Sequence, residues 1–168
     1  LKSAIRDDDP VIFMESELMY GDKGNVPEQE YLIPIGKSND VHEGNDVTLV
    51  SFGKMMKVAE ETFNVAKKEN ISVEVIDLRS VRPIDYDSIV KSVKKTNRLV
   101  IIEEAWPLAS ISSEISHHIQ RFAFDYLDAP VHRITCEDVP FHYAPTLIKE
   151  ILPSVEKAMK AIKSVTYK

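Results

Sequence analysis

The segment Val73–Pro107, VEVIDLRSVRPIDYDSIVKSVKKTNRLVIIEEAWP, constrains the fold more than any other part of the chain. Its first apolar stretch, Val73-Glu74-Val75-Ile76-Asp77-Leu78, is rich in β-branched residues, and its last, Leu99-Val100-Ile101-Ile102, is apolar throughout. Such runs read as strands covered on both faces, because a strand with one wet face alternates polar and apolar residues. Between them Tyr86, Ile89, Val90 and Val93 recur at helical spacing, and Pro83 followed by Asp85 marks a helix start, giving a helix over Asp85–Lys95. Strand, helix and strand in this order predict a right-handed crossover in a parallel sheet. The unit ends on Glu103 and Glu104 beside the only tryptophan, Trp106.

The flanking sequence repeats the alternation. Val47–Phe52 reads as a strand closed by Gly53, and Lys54–Glu69 as a helix with Met55, Ala59, Thr62, Phe63 and Ala66 on one face. Ile111–Tyr126 and Pro153–Ser164 carry the same helical pattern, and Val131–Cys136 supplies another strand. Together they predict a three-layer α/β/α domain with a mostly parallel sheet. The first residues differ: Leu1–Arg6 reads as the end of a helix, Asp7-Asp8-Asp9-Pro10 as an acidic loop and Val11–Met14 as an apolar strand. One strand and a helix end cannot build a core, so residues 1–16 read as the remnant of a preceding domain. Residues 17–37, punctuated by Gly21, Gly24, Pro27, Pro34 and Gly36, read as a linker, and 38–168 as the main domain, with Ser38–His42 as a short edge strand.

Composition excludes several classes. The net charge of −6 argues against nucleic-acid binding and leaves room for a basic protein partner. A single cysteine, Cys136, excludes an internal disulfide framework. No apolar run reaches the ~20 residues of a membrane-spanning helix.

In parallel sheets the loops after the carboxyl ends of the strands meet ligands and partners. Here they are Phe52-Gly53, Asp77-Leu78-Arg79, Glu103-Glu104-Ala105-Trp106 and Cys136-Glu137-Asp138-Val139-Pro140, a rim of carboxylates opposed nearby only by Arg79 and Arg82. Glu103 and Glu104 are open to two readings: an acid/base pair, or solvated charges that partner the N-terminus of the following helix, the second being the commoner role of a strand-end Glu-Glu. Asp77 with Arg79 or Arg82 reads as a structural ion pair. There is no Gly-rich phosphate loop, no G-x-S-x-G elbow and no Cys/His set with zinc spacing. Adjacent helical residues point about 100° apart, so His117 and His118 do not share a metal and divide between core side and solvent. Cys136 reads as a small buried apolar residue, His142 as a loop histidine near the rim, and Trp106 as an interface anchor or a loop plug.

Six segments, in order along the whole chain, resemble one family. Ser3–Asp7, Glu17-Leu18-Met19-Tyr20-Gly21, Ile33-Pro34-Ile35-Gly36-Lys37, Asp77-Leu78-Arg79-Ser80-Val81-Arg82-Pro83, Thr96–Val100 and Asp125-Tyr126-Leu127-Asp128-Ala129-Pro130 are similar to beta subunits of the pyruvate dehydrogenase first component. These belong to the transketolase-like, thiamine diphosphate-dependent 2-oxo acid dehydrogenases. The resemblance implies a transketolase C-terminal domain: a five-stranded, mostly parallel sheet with one antiparallel edge strand, the role it gives to Ser38–His42. Residues 1–16 then correspond to the end of the pyrimidine-binding domain. It implies oxidative decarboxylation of pyruvate, with transfer of the acetyl unit to lipoyl groups. Trp106 and Asp125–Pro130 tilt the substrate toward pyruvate; a branched-chain 2-oxo acid or acetoin dehydrogenase beta subunit and a non-catalytic α/β assembly module are the alternatives.

The implied cofactors of the intact complex are thiamine diphosphate and magnesium. The family's catalytic residues lie in the preceding domain and its magnesium and diphosphate site on the alpha chain. No catalytic or cofactor-binding residue is therefore expected in this chain, which should be inactive alone. A potassium ion is implied at the loop matching Ala4, Ile5, Asp7 and Asp9. The implied partners are an alpha subunit, a second beta subunit and the dihydrolipoyl acyltransferase core, and Glu103, Glu104, Trp106, Glu137 and Asp138 are the candidate interface residues. The implied location is the cytoplasm of a bacterium, or the mitochondrial matrix or plastid of a eukaryote. Two departures from the family pattern stand out: Ala105–Ser113 replaces its usual Gly-rich turn, and His142 stands where proline is usual, so His142 inherits no role.

Overall fold

The computed structural model describes residues 1–168. Five strands, β1 (Asn39–His42), β2 (Val47–Ser51), β3 (Val73–Asp77), β4 (Leu99–Ile102) and β5 (His132–Ile134), form one sheet in the order β1-β3-β2-β4-β5. β1 runs antiparallel to β3 at the edge, and every other pair is parallel. The expected antiparallel edge strand is thus present, one residue shorter at its start than Ser38–His42.

Helices α2 (Met56–Lys68), α3 (Tyr86–Thr96) and α4 (Ile111–Phe122) follow β2, β3 and β4, and α6 (Val155–Thr166) packs near the end of the chain. Strand residues alternate between two cores. Val47, Leu49, Val73, Val75, Val100 and Ile102 face α2 and α6, burying Ala59, Ala66, Ala158 and Ile162. Val50, Ile76, Leu99 and Ile101 face α3 and α4, burying Ile89, Val93, Ile115 and Ile119. With both faces covered, strands lose the polar alternation of a half-wet sheet, which explains the continuous apolar runs. The core behind α3 also holds a buried hydroxyl cluster, Thr48 Oγ1 with Ser92 Oγ at 2.6 Å and with Thr96 Oγ1 at 2.7 Å. These groups satisfy one another where water does not reach.

Starts and stops follow local chemistry. Asp85 caps α3 through Ser88 N–H, and Asn97, in the left-handed region at φ 61°, ends it. Ser110 and Ser154 cap α4 and α6. Gly44, in the connection that carries the chain from β1 across β3 to β2, lies so close that a Cβ would overlap the backbone of Val73 and Glu74.

The expected strand at Val11–Met14 does not form. Ile12 and Met14 are 90% and 84% exposed, and no strand pairs with the segment. Apolar character without a neighbour to accept its backbone hydrogen bonds does not make a strand. Residues Lys2–Ile5 form a single helical turn, α1, as expected. The strand expected over Val131–Cys136 is confined to β5, and the helix expected over Ile111–Tyr126 stops at Phe122, beyond which Phe124–Tyr126 is a 3-10 turn. A seven-residue helix, α5 (Pro145–Ile151), has no counterpart in the sequence reading.

Candidate functional site

The chain leaves β2 toward β3 on one side of the sheet and leaves β4 toward β5 on the other. The carboxyl ends of β2 and β4 therefore flank the switch point where doubly wound sheets open a crevice. Here the crevice is bridged from within. Gly53, at φ 58°, turns the chain after β2, and Lys54 Nζ meets Glu104 Oε1 at 2.7 Å across it. Ser51 Oγ donates to the Ile102 carbonyl at 3.0 Å beneath.

Glu103, named as an interface residue from sequence, is buried at 3% exposure and presents no surface. Its Oε1 accepts from Ile111 N–H at 2.9 Å and its Oε2 from Ser112 N–H at 2.7 Å. A carboxylate at a helix N-terminus satisfies orphan donors and sits at the positive end of the helix dipole. This corrects the interface assignment and realises the helix-terminus reading for Glu103 alone, as a buried rather than a solvated charge, while Glu104 pairs with Lys54.

The other interface candidates lie on the surface. Trp106 is 53% exposed, with its indole Nε1–H donating to the Val139 carbonyl at 3.1 Å, so the loops after β4 and β5 are joined. Cys136 N–H donates to Ala105 O at 2.9 Å in the same seam. Arg133 Nη1 donates to Pro107 O at 3.0 Å and to Ser110 Oγ at 3.3 Å. Glu137 is exposed and pairs with Lys157 at 2.9 Å, and Asp138 is exposed. Lys54 and Lys157, overlooked in the sequence, thus neutralise part of the rim. Lys54 follows Gly53 directly, but its partner becomes evident only once β2 and β4 are known to be neighbours.

Asp77 ends β3. Burial raises its carboxyl above the ordinary value, against the lowering pull of Arg79, whose N–H donates to Asp77 Oδ1 at 3.1 Å and whose Nε lies 3.8 Å from Oδ2. Arg79 itself holds φ 56°. Cys136 is buried, and burial pushes its thiol up, which suits packing rather than nucleophilic attack. His118 lies between Tyr86 and Phe122, its ring stacked on Tyr86 at 3.8 Å, while His117 faces solvent; the expected division of the pair holds. His142 is exposed in the loop before α5.

The acidic turn near the start of the chain is exposed. Asp7 Oδ1 accepts from Asp9 N–H at 3.0 Å, and no backbone N–H donates to the carbonyls of Ala4 or Ile5. Nowhere do three His, Cys, Asp or Glu side chains gather as a metal cluster. No helix is long and apolar enough to cross a membrane. The rim presents charge and an aromatic anchor on a stitched loop surface.

Residues 36–158 match the family described as transketolase, C-terminal domain. The chain is 47% identical over 165 residues to the pyruvate dehydrogenase E1 component subunit beta of Rickettsia felis, a match covering 98% of this chain and 51% of that protein. It is 48% identical over 170 residues to the mitochondrial pyruvate dehydrogenase E1 component subunit beta of Dictyostelium discoideum, covering 99% and 48%. The chain spans about half the length of these relatives. Among solved structures it resembles a split-gene transketolase described as an inactive beta4 tetramer, with TM-score 0.73 and 24% identity over 80% of this chain and 44% of that one. A 2-oxoglutarate:ferredoxin oxidoreductase from Magnetococcus marinus matches with TM-score 0.52 and 12% identity over 77% and 19%. Both share the fold.

Proposed function

Since the chain belongs to the transketolase C-terminal domain family, we propose that it forms the C-terminal half of the beta subunit of a pyruvate dehydrogenase first component. The observation that carries the reading is the 47% identity to such a subunit over 98% of the chain. In this reading residues 1–16 end a preceding pyrimidine-binding domain, 17–37 are a linker and 38–168 the C-terminal domain. The intact enzyme decarboxylates pyruvate oxidatively and passes the acetyl unit to lipoyl groups. Thiamine diphosphate, with magnesium, supplies the carbon nucleophile and electron sink of that chemistry when bound. In this reading the diphosphate and magnesium site lies on the alpha chain, and no three His, Cys, Asp or Glu side chains gather here as a metal cluster. No step of the reaction is assigned to its residues.

The chain's own contribution is assembly with an alpha subunit and a second beta subunit. Exposed Trp106, Glu137 and Asp138, with half-buried Glu104, offer an acidic rim with an aromatic anchor, suited to a basic segment of the acyltransferase core. Potassium at Ala4, Ile5, Asp7 and Asp9 belongs to the same reading. All-oxygen donors suit a hard cation, and the free carbonyls of Ala4 and Ile5 support it. A thallium soak of the intact protein should place an anomalous peak at this loop, and a peak-free loop would remove the ion. The enzyme would work in the bacterial cytoplasm, or in the mitochondrial matrix or plastid.

The deciding experiment co-expresses the full coding chain with its alpha partner and compares turnover of pyruvate, branched-chain 2-oxo acids and acetoin. Pyruvate should be strongly preferred. Preference for another substrate would reassign the enzyme, and failure to bind any alpha chain would favour a non-catalytic assembly module.

A further inference from the structure

We infer that Glu103 is the positioning residue of the rim, holding the loop that carries Glu104 and Trp106 in one arrangement against the loop after β5. Ser110 caps α4 by accepting from Ser113 N–H at 3.3 Å. Glu103 takes two donors that this serine does not serve, Ile111 N–H and Ser112 N–H, from eight and nine residues away, with each carboxylate oxygen accepting one. These bonds offset the cost of burying the carboxylate. The twelve-residue α6 is capped by Ser154 alone, which leaves the tie from Glu103 to α4 open to a role beyond the helix.

The geometry supplies it. Glu103 N–H donates to Ile134 O at 3.0 Å, which fixes the loop's first residue to β5, while the side chain of the same residue grips the loop's far end at Ile111 and Ser112. One residue thereby closes the loop on itself. Between these ends, Ala105 O accepts from Cys136 N–H, Pro107 O accepts from Arg133 Nη1, and the Trp106 indole N–H donates to Val139 O. Freeing the far end would let those outer contacts loosen together, because all three hold the same loop against β5 and the residues that follow it. The role of this arrangement in subunit assembly rests on the function proposed above; the positioning itself does not.

Trp106, being the only tryptophan, gives one indole N–H resonance, and its hydrogen exchange in this chain reads the seam directly. Glu103→Gln should accelerate that exchange roughly tenfold or more, the effect of losing one charge-assisted bond, with the helical circular dichroism unchanged. Glu103→Asp, which keeps the charge but is one methylene too short to serve both donors, should fall between Glu103→Gln and wild type. Glu114→Gln, which removes a charge from the first turn of α4 without touching the cap or the rim, should leave the rate at the wild-type value.

Wild-type exchange in Glu103→Gln would overturn the inference, as would an equal acceleration in Glu114→Gln. If Glu103→Gln does not fold, Glu103→Asp decides: accelerated exchange supports the role and a wild-type rate refutes it. Co-expression of the full coding chain with the alpha partner separates the two proposals. Accelerated exchange with undiminished subunit association would uphold the positioning role and count against the rim as an assembly surface.

Discussion

Asp85 ties the entry of the edge strand to the crossover helix, and its removal gives a measurable test of how the domain is held. The carboxyl is buried at 5% exposure. It accepts from Ser88 N–H at 3.4 Å as the α3 cap and from Ser38 N–H at 3.1 Å just before β1. Losing the cap costs about 1 kcal/mol, and losing a charge-assisted bond to a partly buried N–H adds about 1.5–3 kcal/mol. Lys37, 3.6 Å away but 62% exposed, adds little, as exposed pairs are worth roughly 0–1 kcal/mol. Asp85→Ala should therefore lose about 3 kcal/mol in urea denaturation followed by circular dichroism, and roughly 5–15 °C in melting temperature. Asp85→Asn, which keeps an acceptor and loses the charge, should recover about half of that.

The same residue predicts a pH dependence. Burial pushes the Asp85 carboxyl up, but the hydrogen bonds from Ser38 and Ser88, helped by Lys37, outweigh it and hold the group below its ordinary value. A carboxylate depressed in the folded state contributes stability that is complete above its unfolded pKa of about 3.9. That contribution disappears as pH falls through the folded value. The gap between wild type and Asp85→Ala should be full at pH 7 and narrow steadily below about pH 4. A gap under about 1 kcal/mol at pH 7, or one that stays constant into acid, would refute the reasoning.

Two further outcomes concern the core. Gly44→Ala places a methyl into the backbone of β3, so it should destabilise by about 3 kcal/mol or more, the upper end of overpacking because backbone cannot rotate away. Equal urea midpoints for the two proteins would show that the connection relaxes freely. The Cys136 thiol, buried and pushed up, should react with a disulfide reagent at pH 8 roughly a hundredfold more slowly in the native chain than in urea. Comparable rates would mean that this part of the rim opens readily.

Much of the fold was legible because two periods are written into the chain. Ala59, Thr62, Phe63 and Ala66 announce α2, mostly apolar β-branched runs announce β2 and β3, and the unbroken apolar run Leu99–Ile102 announces β4. Val11–Met14 misled because apolarity specifies a strand only where a neighbour accepts its hydrogen bonds. β5 came out shorter than expected because Val131 precedes the strand, and Thr135 and Cys136 already belong to the rim. α5 escaped notice because seven residues beginning at Pro145 are too few for a periodic signal.

At the rim, the helix-terminus reading of Glu103 rested on local chemistry and holds. The Lys54–Glu104 bridge did not emerge, since it depends on β2 and β4 being neighbours although a whole crossover separates them in sequence. Pairings of that kind are set by topology, which a linear pattern does not spell out.

The sheet also acts as a partition. The core against α2 and α6 and the core against α3 and α4 share no side chain, and they meet only through the backbone of the strands. A change of volume on one side has no neighbour on the other to absorb it. The two helical layers are thus free to drift apart in sequence, each answering to its own packing and its own outer surface. A lineage can remodel one outer face for a new companion while the opposite face keeps its fit.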